Sequence, residues 1–286
     1  VKRLILTALG VAVMGSGCAT VPYRYGKEAD YIGAKIPDNT PQIIQGRPNR
    51  FLDASDWIWP GSLFGKLLLW NHKVDSHQFS TRTVAAVEQY LADNELRDVK
   101  VHINAYHPGA ELRRTVKNRS IGAGWRYTLG IFSWLGYTIM PGRFFGGDNY
   151  NPYSNTIHLY SDLIPVALHE GGHSKDFARR SLKGTYGFIY AYVPGFNLYP
   201  EALASNEALS YLRAKGDVPL SKSAYKLLYP AYGTYLGASV GDWVSGPIVY
   251  AVQAGVVIPA HIVGRVKAAR VPEHLEPQPK PQVEKP

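Results

Sequence analysis

The chain has 286 residues, 45% hydrophobic and 19% charged, a composition that excludes a disordered or fibrous chain and allows one substantial core. A net charge of +9 points to anionic neighbours such as lipid headgroups or envelope polymers. Lys and Arg are scattered rather than gathered in a stripe, so no nucleic-acid partner is expected.

Residues 1–17 have the layout of a secretory signal: basic Lys2 and Arg3, an apolar run from Leu4 to Met14, then small residues. The run is too short to span a bilayer comfortably. Cys18 is the single cysteine, so an intrachain disulfide is excluded. Its place after "GSG" resembles a bacterial lipoprotein cleavage site, which implies a lipidated Cys18. With no aspartate following, the same resemblance implies the periplasmic face of an outer membrane in the bacterial cell envelope. The plain alternative is an ordinary signal peptide with a stray cysteine.

Residues 18–50, punctuated by Pro and Gly, read as an extended membrane tether, with "AKIPDNTPQ" as loop. "DWIWPGSLFGKLLLW" concentrates three tryptophans, which suits either a core or a membrane interface. "STRTVAAVEQYLADNEL" has a Ser/Thr start and apolar Val84, Val87 and Leu91 at helical spacing. "DVKVHINAY" alternates Val99, Val101, Ile103 and Ala105 with polar residues and predicts a half-buried strand. Residues 122–145 are aromatic, glycine-rich and nearly uncharged, an insertion that packs on the core or touches lipid. "NTIHLYS" predicts a second strand. It leads into a helix carrying "HEGGH", for which Asp162 is the expected cap and Pro165 falls in the tolerated first turn.

"YPEALASNEALSYLRAKGD" predicts a further helix from Pro200 to Gly216. Residues 243–264 are uncharged and long enough to span a membrane, but their prolines and glycines suit a buried or interfacial hairpin equally. Residues 269–286 read as a Pro-rich tail.

The chemistry concentrates in Asp162 to Phe177. Residues four apart on a helix share a face, so His169 and His173 can point ring nitrogens at one ion. Glu170, next to the first histidine, is turned to serve a metal-bound water without ligating the metal. Zinc lowers the pKa of such water from 15.7 to roughly 7, and a carboxylate can then take its proton. Two histidines and a water leave a four-coordinate site one ligand short. Glu201 and Glu207 are the candidates; six apart on one helix they face different ways, so at most one ligates. Gly171 and Gly172 each cost a helix about 1 kcal/mol relative to alanine, which suggests close approach of another backbone or a substrate. The bland alternative is an irregular helix with two surface histidines.

"HEGGHSKDFA" resembles the active-site helix of the zincin metallopeptidases, in particular the gluzincin branch with a glutamate third ligand. Members similar to lethal factor have an Asp and an aromatic after the second histidine, here Asp176 and Phe177, and a ligand glutamate in E-x-x-A, here Glu201. Thermolysin-like members use N-E-x-x-S, here Glu207, with an aspartate four residues on where this chain has Tyr211. The resemblance covers residues 155–212. It implies an α+β zincin-like metallopeptidase domain over residues 51–268, with apolar Gly/aromatic-rich insertions near 122–145 and 243–264. It further implies a Zn2+ cofactor on His169, His173 and Glu201 (alternative Glu207), catalytic Glu170, and a peptide or protein substrate. An oxyanion stabiliser is expected among Tyr186, Tyr190, Tyr192 and Tyr199. Membrane lipid is the second expected partner, through the anchor and the apolar segments.

Two other classes remain open: a non-catalytic zinc-binding lipoprotein acting as envelope scaffold, and an integral channel or insertion factor built on the apolar runs. His72, His77, His102, His107 and His158 read as satisfied surface or core histidines, and His261, in an apolar run, is the odd one.

Overall fold

The computed structural model describes residues 23–26, 36, 40–47, 49–55, 59–241 and 248–280. Cys18, the signal-like segment and much of the expected tether lie outside the described residues. The architecture is α+β, mostly helical, with one small mixed four-stranded sheet. The chain divides into two units, Lys27–Val193 and a second made of Val1–Gly26 with Pro194–Pro286.

The first unit runs β1 (Ile43–Gln45), α1 (Arg50–Ser55), α2 (Pro60–Leu69), α3 (Thr81–Asp93), β2 (Lys100–Ile103) and α4 (Pro108–Lys117). It continues with α5 (Ala123–Trp125), a π-helical turn (Arg126–Gly130), α6 (Ile131–Ile139) and α7 (Gly142–Phe145). Then come β3 (Asn149–Asn151), β4 (Thr156–Leu159), α8 (Ile164–Arg179) and α9 (Lys183–Tyr192). The sheet order is β1-β2-β4-β3, with β3 antiparallel to β4 at one edge and the rest parallel. β1 falls inside the stretch expected to be tether, and its Ile43 pairs in register with Val101.

Alternation along β2 and β4 sends Val101, Ile103, Ile157 and Leu159 to one face of the sheet, all at most 1% exposed. The strand expected to be half-buried is buried on both faces, because Lys100, His102, Thr156 and His158 are covered as well. Parallel strands are normally covered on both sides, and α4 supplies a buried Glu111 to the polar face.

Ser80 caps α3 by accepting a hydrogen bond from the Thr83 N–H at 3.4 Å. Asp162 was expected to cap α8; its carboxylate instead accepts from Ser80 N–H, Ser80 Oγ and Thr83 Oγ1 at 3.1, 2.9 and 2.5 Å. Burial raises the Asp162 pKa, but these bonds and that from Lys73 outweigh it and hold the carboxyl below its ordinary value. α8 begins without a side-chain cap, with Pro165 in its first turn, where a missing N–H costs nothing.

The second unit comprises α10 (Leu198–Ala214), α11 (Val218–Gly241) and α12 (Ile248–Ala269). Gly216, at φ 72°, ends α10 in the conformation glycine adopts freely. α11 and α12 pack along each other, and a Cβ at Gly264 would lie 2.5 Å from the Tyr225 carbonyl oxygen. The uncharged run 243–264 is thus helix over its described part rather than hairpin, with Pro259 inside it. Among the described residues no helix is long and apolar enough to cross a membrane. The Pro-rich tail packs back: Gln278 N–H donates to the Ala214 carbonyl at 2.7 Å. The Gln278 amide also exchanges two hydrogen bonds with the Tyr23 backbone, at 2.7 and 2.6 Å.

Candidate functional site

α8 carries His169, Glu170 and His173, all buried at 4–6% exposure. The two imidazoles stand edge to face with centroids 4.7 Å apart, and their Nε2 atoms approach to 3.1 Å. Ligands held about 2.0–2.1 Å from one tetrahedral ion lie roughly 3.0–3.5 Å apart, so this pair fits a shared zinc. Tyr190 of α9 stacks on His173, with centroids 5.8 Å apart at 25°.

Gly171 is approached most closely by a side chain rather than by another backbone. A Cβ there would sit 2.5 Å from Cε1 of Tyr90, whose buried ring comes from α3. The glycine lets α8 close onto α3 and fixes the height of the histidine pair over the core.

The end of α8 is fastened on both sides. Asp176 accepts from Arg180 Nε and Nη2 at 3.1 and 2.5 Å and from the Tyr186 hydroxyl at 2.7 Å. Arg180 also lies over the Tyr186 ring, 4.3 Å from its centroid. Lys183 Nζ donates to the carbonyls of Phe177, Ala178 and Arg180 at 2.6, 2.9 and 2.8 Å, filling acceptors that a helix C-terminus leaves open. Phe177 is core, edge-on to Tyr186. Tyr186 is therefore committed to Asp176, while Tyr192 is exposed at the end of α9.

A cavity of about 430 Å³ opens in the first unit, within the range of small-ligand sites. Tyr137, Tyr150, Tyr153, Tyr190 and Tyr192 line it, together with His158. Its wall therefore shares Tyr190 with the packing of His173.

Glu201, Glu207 and Tyr199 belong to the second unit. Glu201 is buried in the first turn of α10 and raises the pKa of Tyr232, which burial has already pushed up, to about 12. Glu207, half-buried, accepts a 2.5 Å hydrogen bond from the Tyr23 hydroxyl.

Of the other histidines, His77 Nδ1 pairs with Asn104 Oδ1 at 3.0 Å and His261 Nδ1 with Arg265 at 2.9 Å, so each is a buried residue with a polar partner on one ring nitrogen. His72 and His107 are exposed. His102 and His158 differ: the structure buries them together with Glu111, a residue with no motif to flag it. Burial first, then His158, hold His102 down at about 3. Burial pushes Glu111 up, but His158 and Ser154 overcome it and hold the carboxyl at about 2.

No protein family, curated protein or solved structure matches the chain.

Proposed function

We propose that the protein is a membrane-anchored zinc metallopeptidase of the bacterial envelope, with a zincin-like catalytic core that hydrolyses peptide or related amide bonds. The observation that carries this reading is the pair of buried imidazoles on α8, four residues apart with Nε2 atoms 3.1 Å from each other and a glutamate between them. His169 and His173 would hold the ion, and Glu201 would complete the set. Glu201 is favoured over Glu207 by the E-x-x-A pattern.

Bound zinc supplies a water acidic enough to lose its proton near neutrality and polarises the scissile carbonyl. Glu170 takes the proton of the attacking water and delivers it to the leaving amine. Tyr190, in the cavity wall beside His173, is the residue proposed to stabilise the developing oxyanion. The tyrosine-lined cavity suits an apolar or aromatic substrate side chain, burying its body and bonding its polar rim.

Anchoring through Cys18 rests on the sequence pattern. The exposed Phe132, Ile139 and Met140 of the 122–145 stretch support contact with lipid. The test uses the full chain and a peptide library. Glu170→Gln should keep its zinc while turnover falls by about 10²–10⁴-fold. His169→Ala or His173→Ala should lose about one zinc per chain together with hydrolysis. Equal turnover in wild type and Glu170→Gln would favour the non-catalytic zinc-binding scaffold instead.

A further inference from the structure

The first unit contains another group of ligand-type side chains. His102 on β2 and His158 on β4 are partners in the parallel register, so their imidazoles leave the same face, with centroids 5.3 Å apart. Glu111, in the first turn of α4, lies against them. One ligand atom from each of the three lies within 4.8 Å of those of the others, and all three side chains are at most 1% exposed.

Their hydrogen bonding is incomplete in a way a structural polar core rarely tolerates. Glu111 Oε1 is well served, accepting from Ser154 Oγ, from Asn151 Nδ2 at 3.3 Å, and meeting His158 Nε2 at 3.3 Å. Among the described residues, Glu111 Oε2, His158 Nδ1 and both ring nitrogens of His102 have no hydrogen-bond partner. Leaving a buried polar atom unsatisfied carries its desolvation cost uncompensated, and four such atoms are gathered here. A cation accepting lone pairs from two imidazoles and a carboxylate would satisfy most of them together.

We propose that His102, Glu111 and His158 form a second, separate site for a divalent first-row transition ion of the zinc class. Two imidazoles disfavour Mg²⁺ and Ca²⁺, which take oxygen ligands, and the lack of a thiolate disfavours Cu⁺. His158 lines the 430 Å³ cavity, and Tyr137, tilted over His158 with centroids 4.6 Å apart, lines it too. The cavity therefore gives an ion and its remaining water ligands access to the cluster. This site uses none of the side chains of the HEGGH helix, so it stands or falls apart from the peptidase reading.

The experiment strips the full-length protein with a chelator and reloads it with Zn²⁺ alone, reading zinc content and zinc-induced thermal shift. The His169→Ala/His173→Ala protein should still bind about one zinc per chain. Adding Glu111→Gln should weaken that binding by at least about a hundred-fold, beyond what loss of a merely orienting partner does. His158→Ala should abolish it. Anomalous scattering at the zinc edge from zinc-soaked wild-type crystals should place a peak between His102, Glu111 and His158, a measurement independent of whether the variants fold. No peak there, or zinc bound by the double-histidine variant but indifferent to Glu111→Gln, overturns the proposal and leaves the peptidase reading intact. Zinc lost on Glu111→Gln but unaffected by His169→Ala would instead overturn the peptidase reading and keep this site.

Discussion

Gly171→Ala should destabilise the protein although alanine is the better helix former. The new Cβ would lie 2.5, 2.8 and 3.3 Å from Cε1, Cδ1 and Cζ of Tyr90, where ordinary contact begins near 3.4 Å. The ring, 1% exposed on α3, must retreat by about 1 Å or push α8 away. Overpacking of this kind costs about 1–3 kcal/mol, and the helix propensity gained returns about 1 kcal/mol. The expected net loss is up to about 2 kcal/mol, centred near 1 kcal/mol, read as a lower urea midpoint at unchanged slope. Tyr90→Leu gives the double-mutant cycle: alone it destabilises by leaving a cavity, but with Gly171→Ala the two losses should fall short of their sum by about 1 kcal/mol or more. Additive losses, or a Gly171→Ala protein as stable as wild type, would refute the claim that Tyr90 fixes the seat of the histidine helix.

Burial, then the Asp75 carboxylate nearby, push Asp148 up to about 7. A raised folded-state pKa means stabilisation complete below the ordinary carboxylate range and lost as pH rises through about 7, so wild-type stability should fall from pH 5 to 8 and Asp148→Asn should flatten that fall. Lys183→Met removes a donor shared by three carbonyls at the end of α8 and should cost about 2 kcal/mol in chemical denaturation; a loss below about 0.5 kcal/mol would mean that water replaces the ammonium. Glu201→Ala should lower zinc content along with activity, whereas Glu207→Ala should keep its zinc while losing the Tyr23 bond; the reverse result would move the third ligand to Glu207.

Local patterns made much of the architecture legible. The Ser80 start and the apolar spacing of Val84, Val87 and Leu91 announced α3, and Pro200 and Gly216 bracketed α10. β1 and β3, three residues each, were invisible because such short strands form only by pairing with β2 and β4, a long-range fact. Asp162 read as a cap for the helix that follows it, yet a carboxylate bonds whichever N–H and hydroxyl groups the fold presents, and these came from Ser80 and Thr83. His169 and His173 were legible because one helix turn fixes their geometry. His102, Glu111 and His158 were not, since their meeting depends on strand register and on α4 folding over the sheet.

Tyr23 is clamped to Gln278 from across 255 positions of sequence, and this sets a length. Tyr23 lies five positions after Cys18, a span of at most about 17 Å when fully extended. With Cys18 acylated as proposed, roughly 5–8 Å of that is used in crossing the headgroup layer. What remains is a leash of about 10 Å, shorter than the unit it holds. The second unit would then stay close to the bilayer, with one side turned toward it. Cutting the chain before Gln278 would remove both backbone bonds of Tyr23 and leave its side chain, on Glu207 and Tyr211, to hold the leash short.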